Sequence, residues 1–161
     1  MAWSIVNFSG EEIIKLAVEI EKAGKIFYQK ALTRVDDHDA KTTFISLAEE
    51  EAGHISDFQK LGEALTGNVT PEESYPGEYG DYLKSIIDTH VFNRNNVEDL
   101  VKDIKTFREA LAIAFSFEKD SIMIFQEFGK VVDENGKKVI AELIRQEKEH
   151  IKKLTQLYRR P

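Results

Sequence analysis

Glu51-x-x-His54 and Glu147-x-x-His150 each set a carboxylate three residues before an imidazole. Both pairs lie in stretches with a helical apolar period, and on a helix residues i and i+3 project from nearly the same face. Each pair therefore offers one oxygen donor and one nitrogen donor to a common point. Glu21 and Glu118 fall on the apolar stripes of two further helices. Four glutamates and two histidines drawn from four helices make the ligand set of a buried two-metal site.

The placement of the acids carries this reading. Glu21 interrupts its stripe between Ala17 and Gly24, Glu51 between Ala48 and Ile55, Glu118 between Ala114 and Ile122, and Glu147 between Leu143 and Ile151. A buried ionised carboxylate is costly unless it is paired or bound to a metal. Two divalent cations would cancel four carboxylate charges, with two neutral imidazoles completing the set. Oxygen-rich ligation with one nitrogen per metal suits iron or manganese, and zinc or cobalt can substitute. One Glu-x-x-His alone would more often be a solvent-facing pair. Two copies facing two core glutamates favour the metals.

Other residues invite smaller expectations. Tyr28 lies seven residues after Glu21 on the same face. It is a candidate catalytic neighbour of the metals, donating a hydrogen bond or acting in redox, and equally a core tyrosine with a satisfied hydroxyl. Phe125 holds the matching place after Glu118, so only one side of the site would carry a phenol. Asp120, Glu50 and Gln146 could orient the histidine nitrogens or be partly exposed polar residues. His38, His90 and Glu149 read as structural or surface groups.

These donors need long helices to position them. The pattern predicts a first helix over about 10–34, opened by the capping box Ser9-x-x-Glu12, and a second over about 39–65, with Gly67 just past its end. A crossover over about 66–96 carries a loop and then a short helix over about 81–92. A third long helix spans about 97–132, with a candidate break where Thr106-x-x-Glu109 could cap a new start. The turn signal Glu134-Asn135-Gly136 leads into a fourth helix over about 137–158. The expected fold is all-α, a single domain over 1–161: a four-helix bundle of two helical hairpins joined by a long crossover containing a short extra helix. A weak internal repeat supports it. Glu21 precedes Glu51 by 30 residues and Glu118 precedes Glu147 by 29, so a pseudo-twofold would set the ligands symmetrically about one centre.

Composition narrows the partners. The net charge of -7 disfavours nucleic acid and anionic membranes as partners. The chain has no cysteine, which excludes disulfides, thiolate nucleophiles and iron–sulfur or rubredoxin-type centres built from its own residues. The stretch from Met1 to Phe8 lacks the features of a secretory leader, and no apolar run reaches membrane-spanning length. The expectation is a soluble cytoplasmic protein.

At these residues the sequence resembles the rubrerythrin-type branch of the ferritin-like di-iron carboxylate family. The segments 17-AVEIEKAGKIFYQKA-31, 47-LAEEEAGHISDF-58, 114-AFSFEKDSIMIFQEF-128 and 143-LIRQEKEHIKKL-154 look like its four helix motifs. The resemblance implies a ferritin-like bundle, with Glu21 and Glu118 as terminal ligands, Glu51 and Glu147 as bridges, and His54 and His150 as terminal nitrogen ligands of two iron ions. It further implies a non-haem di-iron redox protein acting on peroxide or dioxygen, reduced by an external electron-donor protein, and a homo-oligomer, dimeric or larger. Two departures bear on the activity. Rubrerythrins of full length add a cysteine-rich rubredoxin-like domain, for which this chain has no cysteine. Peroxidase rubrerythrins also carry an extra carboxylate one turn after the third helix's glutamate, where this sequence has Ser121. Ferroxidase and iron storage, or a structural metal-binding bundle, are the alternative readings.

Overall fold

A computed structural model describes residues 3–5, 9–64 and 76–161. Its helices are α1 (Gly10–Ala31), α2 (His38–Ala64), α3 (Pro76–Asp88), α4 (Val91–Arg94), α5 (Val97–Asp103), α6 (Phe107–Gly129) and α7 (Glu134–Tyr158). The hairpin α1–α2 and the hairpin α6–α7 pack together as a four-helix bundle, with α2 against α7 and α1 against α6. The helices α3, α4 and α5 form the crossover, lying on α6 and α1.

Local chemistry sets the helix ends. Ser9 accepts from the Glu12 N–H while the Glu12 carboxylate accepts from Ser9, closing a capping box on α1. After Ala31 the chain tightens into a single 3-10 turn, Leu32–Arg34, rather than staying α-helical to 34. Asp37 then accepts from the Ala40 N–H at 2.8 Å and starts α2. The third long helix is not continuous over 97–132. Ile104 and Thr106 are extended, and the Thr106–Glu109 capping box restarts the chain as α6. That helix stops at Gly129, and Val131 and Val132 stay buried beyond it. The fourth helix begins at Glu134, three residues before the expected start. Asp133 accepts from the Gly136 N–H at 2.7 Å, so Asn135-Gly136 forms the first turn of the helix instead of a bend before it. The crossover helix begins at Pro76, not near 81: proline suits a first helical turn, where the missing N–H has no partner to lose. Gly67 and the loop expected around it lie outside the described residues.

A cluster of rings fills the space between the bundle and the crossover. Phe27, Tyr28, Phe44, Phe92 and Phe117 are each 3% exposed or less and meet edge-on or tilted, with Phe92 stacked on Phe117. Phe117 lies on the backbone of α1 at Gly24, where any Cβ would fall on its ring. That close approach brings α6 near enough for Tyr28 and Glu118 to meet. His90 fixes the crossover. It is fully buried, its Nδ1 accepts from the Phe92 N–H, and its Nε2–H donates to Ser121 Oγ at 3.0 Å. Burial first, and then the Arg94 charge, depress its pKa to about 3, so the imidazole is neutral and this tautomer is fixed. Asn93 adds a tie to the N-terminal segment, accepting from the Trp3 N–H at 2.6 Å and donating to the Trp3 carbonyl at 3.3 Å.

Gly24→Ala is expected to destabilise the protein by about 1–3 kcal/mol, since the Phe117 ring must move. Gly53 is exposed on α2, and among the described residues no atom stands within 4 Å of a Cβ built there. Gly53→Ala is expected to stabilise by about 0.5–1 kcal/mol. Urea denaturation of the two variants checks both signs.

Candidate metal centre

Each of the bundle's helices sends one acidic side chain to its middle, because each glutamate stands where the helical period would place an apolar residue. Glu21, Glu51, Glu118 and Glu147 are fully buried, and His54 and His150 are 1% exposed or less. The i, i+3 spacing brings each histidine beside its own glutamate, and the antiparallel hairpins bring in the rest. His54 Nδ1 lies 2.8 Å from Glu147 Oε1, 3.1 Å from Glu21 Oε2 and 3.3 Å from Glu51 Oε2. His150 Nδ1 lies 3.0 Å from Glu51 Oε1, 3.1 Å from Glu147 Oε2 and 3.3 Å from Glu118 Oε1. The two rings stack at 5.4 Å, 15° from parallel.

Glu51 and Glu147 thus aim one oxygen at each histidine, whereas Glu21 and Glu118 each serve a single side. Two groups result, Glu21 with Glu51, His54 and Glu147, and Glu51 with Glu118, Glu147 and His150. Within each group the donor atoms lie within 4.8 Å of one another. All six residues expected from the sequence meet here.

The oxygens have too few protons to share. One Nδ1–H can be donated to one oxygen, yet three oxygens crowd each imidazole. Among the described residues, Glu21 Oε1, Glu118 Oε2 and both oxygens of Glu51 and Glu147 have no hydrogen-bond partner. Buried polar atoms are seldom left so. Two cations, one within each group, would satisfy them together. Carboxylates with a single imidazole per position are the donors that iron and manganese take, so the residues fit a metal pair.

Comparison with known proteins agrees. The sequence model of the rubrerythrin family matches residues 109–160, which contain Glu118, Glu147 and His150. No curated protein matches the chain in sequence. A crystal structure from Thermotoga maritima, of a protein provisionally assigned as a ferritin-like diiron-carboxylate protein, superposes with a TM-score of 0.70 at 26% identity. The match covers 97% of this chain and 98% of that one. The C-terminal hairpin thus matches the rubrerythrin family model, and the whole chain has the fold of a ferritin-like protein.

Within this ferritin-like bundle the outer faces of the two histidines differ. His54 Nε2 donates to Gln146 Oε1 at 2.7 Å. His150 Nε2 faces Glu50 Oε2 at 3.5 Å and makes no hydrogen bond among the described residues, because the Lys153 ammonium holds that same oxygen at 2.8 Å. Gln146 and Glu50 are therefore where the spacing placed them, beside the imidazoles. Asp120 is not: its carboxylate accepts from the Val91 N–H at 2.9 Å and caps the crossover. Ser121, where peroxidase rubrerythrins have an extra carboxylate, is taken by His90. Nothing in the spacing of His90 from Ser121 signals that pairing, since the contact depends on how the crossover lies on α6. Of the remaining groups, His38 is the exposed first residue of α2, and Glu149 pairs with Lys152 at 2.8 Å.

The Tyr28 hydroxyl donates to Glu118 Oε1 at 2.7 Å. Burial, and then the Glu118 charge, hold the phenol's pKa well above its ordinary value, so it stays a donor. That same Oε1 faces His150 Nδ1, while Glu118 Oε2 has no hydrogen-bond partner among the described residues. Tyr28→Phe is expected to cost about 1–2 kcal/mol in the metal-free protein, read from chemical denaturation.

Without metals the cluster must hold protons. Burial first, and then the charges of Glu147 and Glu51, raise the pKa of both Glu21 and Glu118 well above the carboxylate range. Burial opposes the ionisation of Glu147, but the close approach of Glu118, His150 and His54 overcomes it and holds its pKa low. Burial likewise opposes the charging of the imidazoles. The carboxylates Glu147, Glu21 and Glu51 nevertheless raise His54, and Glu118, Glu147 and Glu51 hold His150 up at about 12. For each raised histidine the stabilisation is complete below the unfolded value of about 6.5 and is lost as pH climbs to the folded one. The metal-free protein should therefore lose stability from pH 7 upward. Protons on Glu21, Glu118, His54 and His150 must leave before a metal can use those atoms, so loading two ions should release roughly four protons. Calorimetry in buffers of different ionisation enthalpy measures that number, and apparent affinity should weaken as pH falls.

Proposed function

We propose that the chain is a non-haem di-iron redox protein that reduces peroxide or dioxygen. Glu51 and Glu147 would bridge the two ions, Glu21 and Glu118 would each hold one, and His54 and His150 would complete the two positions through Nδ1. The observation carrying this reading is the pair of shared carboxylates, each with one unpartnered oxygen toward either histidine. A carboxylate-bound iron pair supplies two one-electron couples, which match the two electrons and two protons that convert hydrogen peroxide to two waters.

The protein's own residues set the conditions for that chemistry. The phenol of Tyr28 orients Glu118 and excludes water from its Oε1. The buried rings of Phe58 and Phe125 pack 5.1 Å apart, and Phe125, at the position that matches Tyr28, brings no phenol. The stacked histidines line the α2–α7 side, with the partly exposed Gln146 and Glu50 between them and solvent. That is the short route for protons in and out of the cluster. With no cysteine, the chain has no thiolate relay of its own, so the electrons would come from a separate donor protein. Manganese fits the same donors, and the cytoplasm, where reduced carriers are plentiful, is the compartment we propose. No helix among the described residues is long and apolar enough to cross a membrane.

The test is iron loading followed by peroxide under anaerobic conditions. The expected outcome is about two irons per chain, a diferrous form that peroxide oxidises within seconds, and loss of both in Glu51→Ala and Glu147→Ala. Reduced protein left unchanged by peroxide and by dioxygen removes the redox reading. Uptake far beyond two irons per chain would instead identify iron storage.

A further inference from the structure

The pseudo-twofold that relates the hairpins is obeyed by the six inner residues and broken by the groups outside them. Glu21 corresponds to Glu118, Glu51 to Glu147 and His54 to His150, and on the outside Gln146 corresponds to Glu50 and Tyr28 to Phe125. At the Glu21/His54 half, the imidazole is held by a 2.7 Å hydrogen bond to the neutral Gln146 amide, and Phe125 brings no donor toward the carboxylate. At the Glu118/His150 half, Tyr28 draws on one Glu118 oxygen, and Lys153 holds Glu50 where it misses His150. Both departures act in one direction. An imidazole with its outer N–H anchored is pre-oriented and a better donor, whereas an unanchored ring must be ordered on binding. A carboxylate that accepts a phenolic proton is a weaker donor to a cation.

We infer that the two metal positions are unequal. The Glu21/His54 position fills first and holds its ion, and the Glu118/His150 position is the weaker, exchangeable one, with Lys153 keeping Glu50 off His150. Gln146, Glu50 and Lys153 are positioning residues: they touch no metal and act through the imidazoles. The inference rests on the two-metal reading but not on any redox activity.

Anaerobic titration of the metal-free full chain with Co(II), followed by visible absorption and calorimetry, tests it. Two steps separated by at least about tenfold in affinity are expected. Glu118→Gln should retain the tight step alone, and Glu21→Gln the weak step alone. Gln146→Leu should weaken the first step about tenfold and leave the second in place. Lys153→Gln should tighten the second step as Glu50 swings onto His150. Circular dichroism confirms that each variant is folded. A single step of two equivalent ions overturns the inference, as does a first step retained in Glu21→Gln, and both leave the metal pair standing. Failure of the native chain to bind Co(II), Mn(II) or Fe(II) at all overturns the metal reading itself.

Discussion

Four carboxylates brought to the middle of a helical bundle have to be neutralised there, and most of this structure follows from how that is done. Like charges at such distances, away from water, repel with energies that together rival the net stability of a domain this size. Protons answer the problem in the metal-free chain, cations in the loaded one. The arrangement of Glu51 and Glu147 accepts either solution, because each oxygen lies beside a charged imidazole in one state and would face a metal position in the other.

The hydrophobic groups serve this centre as much as they serve the fold. Phe117 against Gly24 sets the spacing of α1 and α6, and that spacing decides whether a phenol on one helix reaches a carboxylate on the other. The crossover is tied in from the outside by His90 to Ser121, Asp120 to Val91 and Asn93 to Trp3. These polar contacts hold α4 over the ring cluster and keep water from the Tyr28 side of the site.

Much of this was legible in the sequence, for a physical reason. A carboxylate on an apolar helical stripe violates burial rules so strongly that four of them, at matched spacing, leave few explanations. The capping boxes at Ser9 and Thr106 were equally plain, because each depends only on residues three apart. What the sequence did not reveal depends on packing across long separations. His90 and Ser121 meet 31 residues apart through the seat of a crossover, and Asp120 was drawn to that crossover instead of to a histidine. The starts of α3 and α7 were misplaced because Pro76 and Asn135-Gly136 are turn signals that a first helical turn also tolerates.

Neither hairpin owns a complete metal position. The first group takes three residues from α1–α2 and only Glu147 from α7, and the second takes three from α6–α7 and only Glu51 from α2. Two bound ions would therefore act as cross-braces between halves otherwise joined by packing and a few polar contacts such as Tyr28–Glu118, His54–Gln146 and Lys153–Glu50. In the metal-free chain the two hairpins would be freer to open separately, each with its own local free energy. With both ions bound they would open together, so slow amide exchange would spread from the middles of the helices across both hairpins. Metal occupancy then sets how many pieces the molecule unfolds in, not only how tightly it holds together.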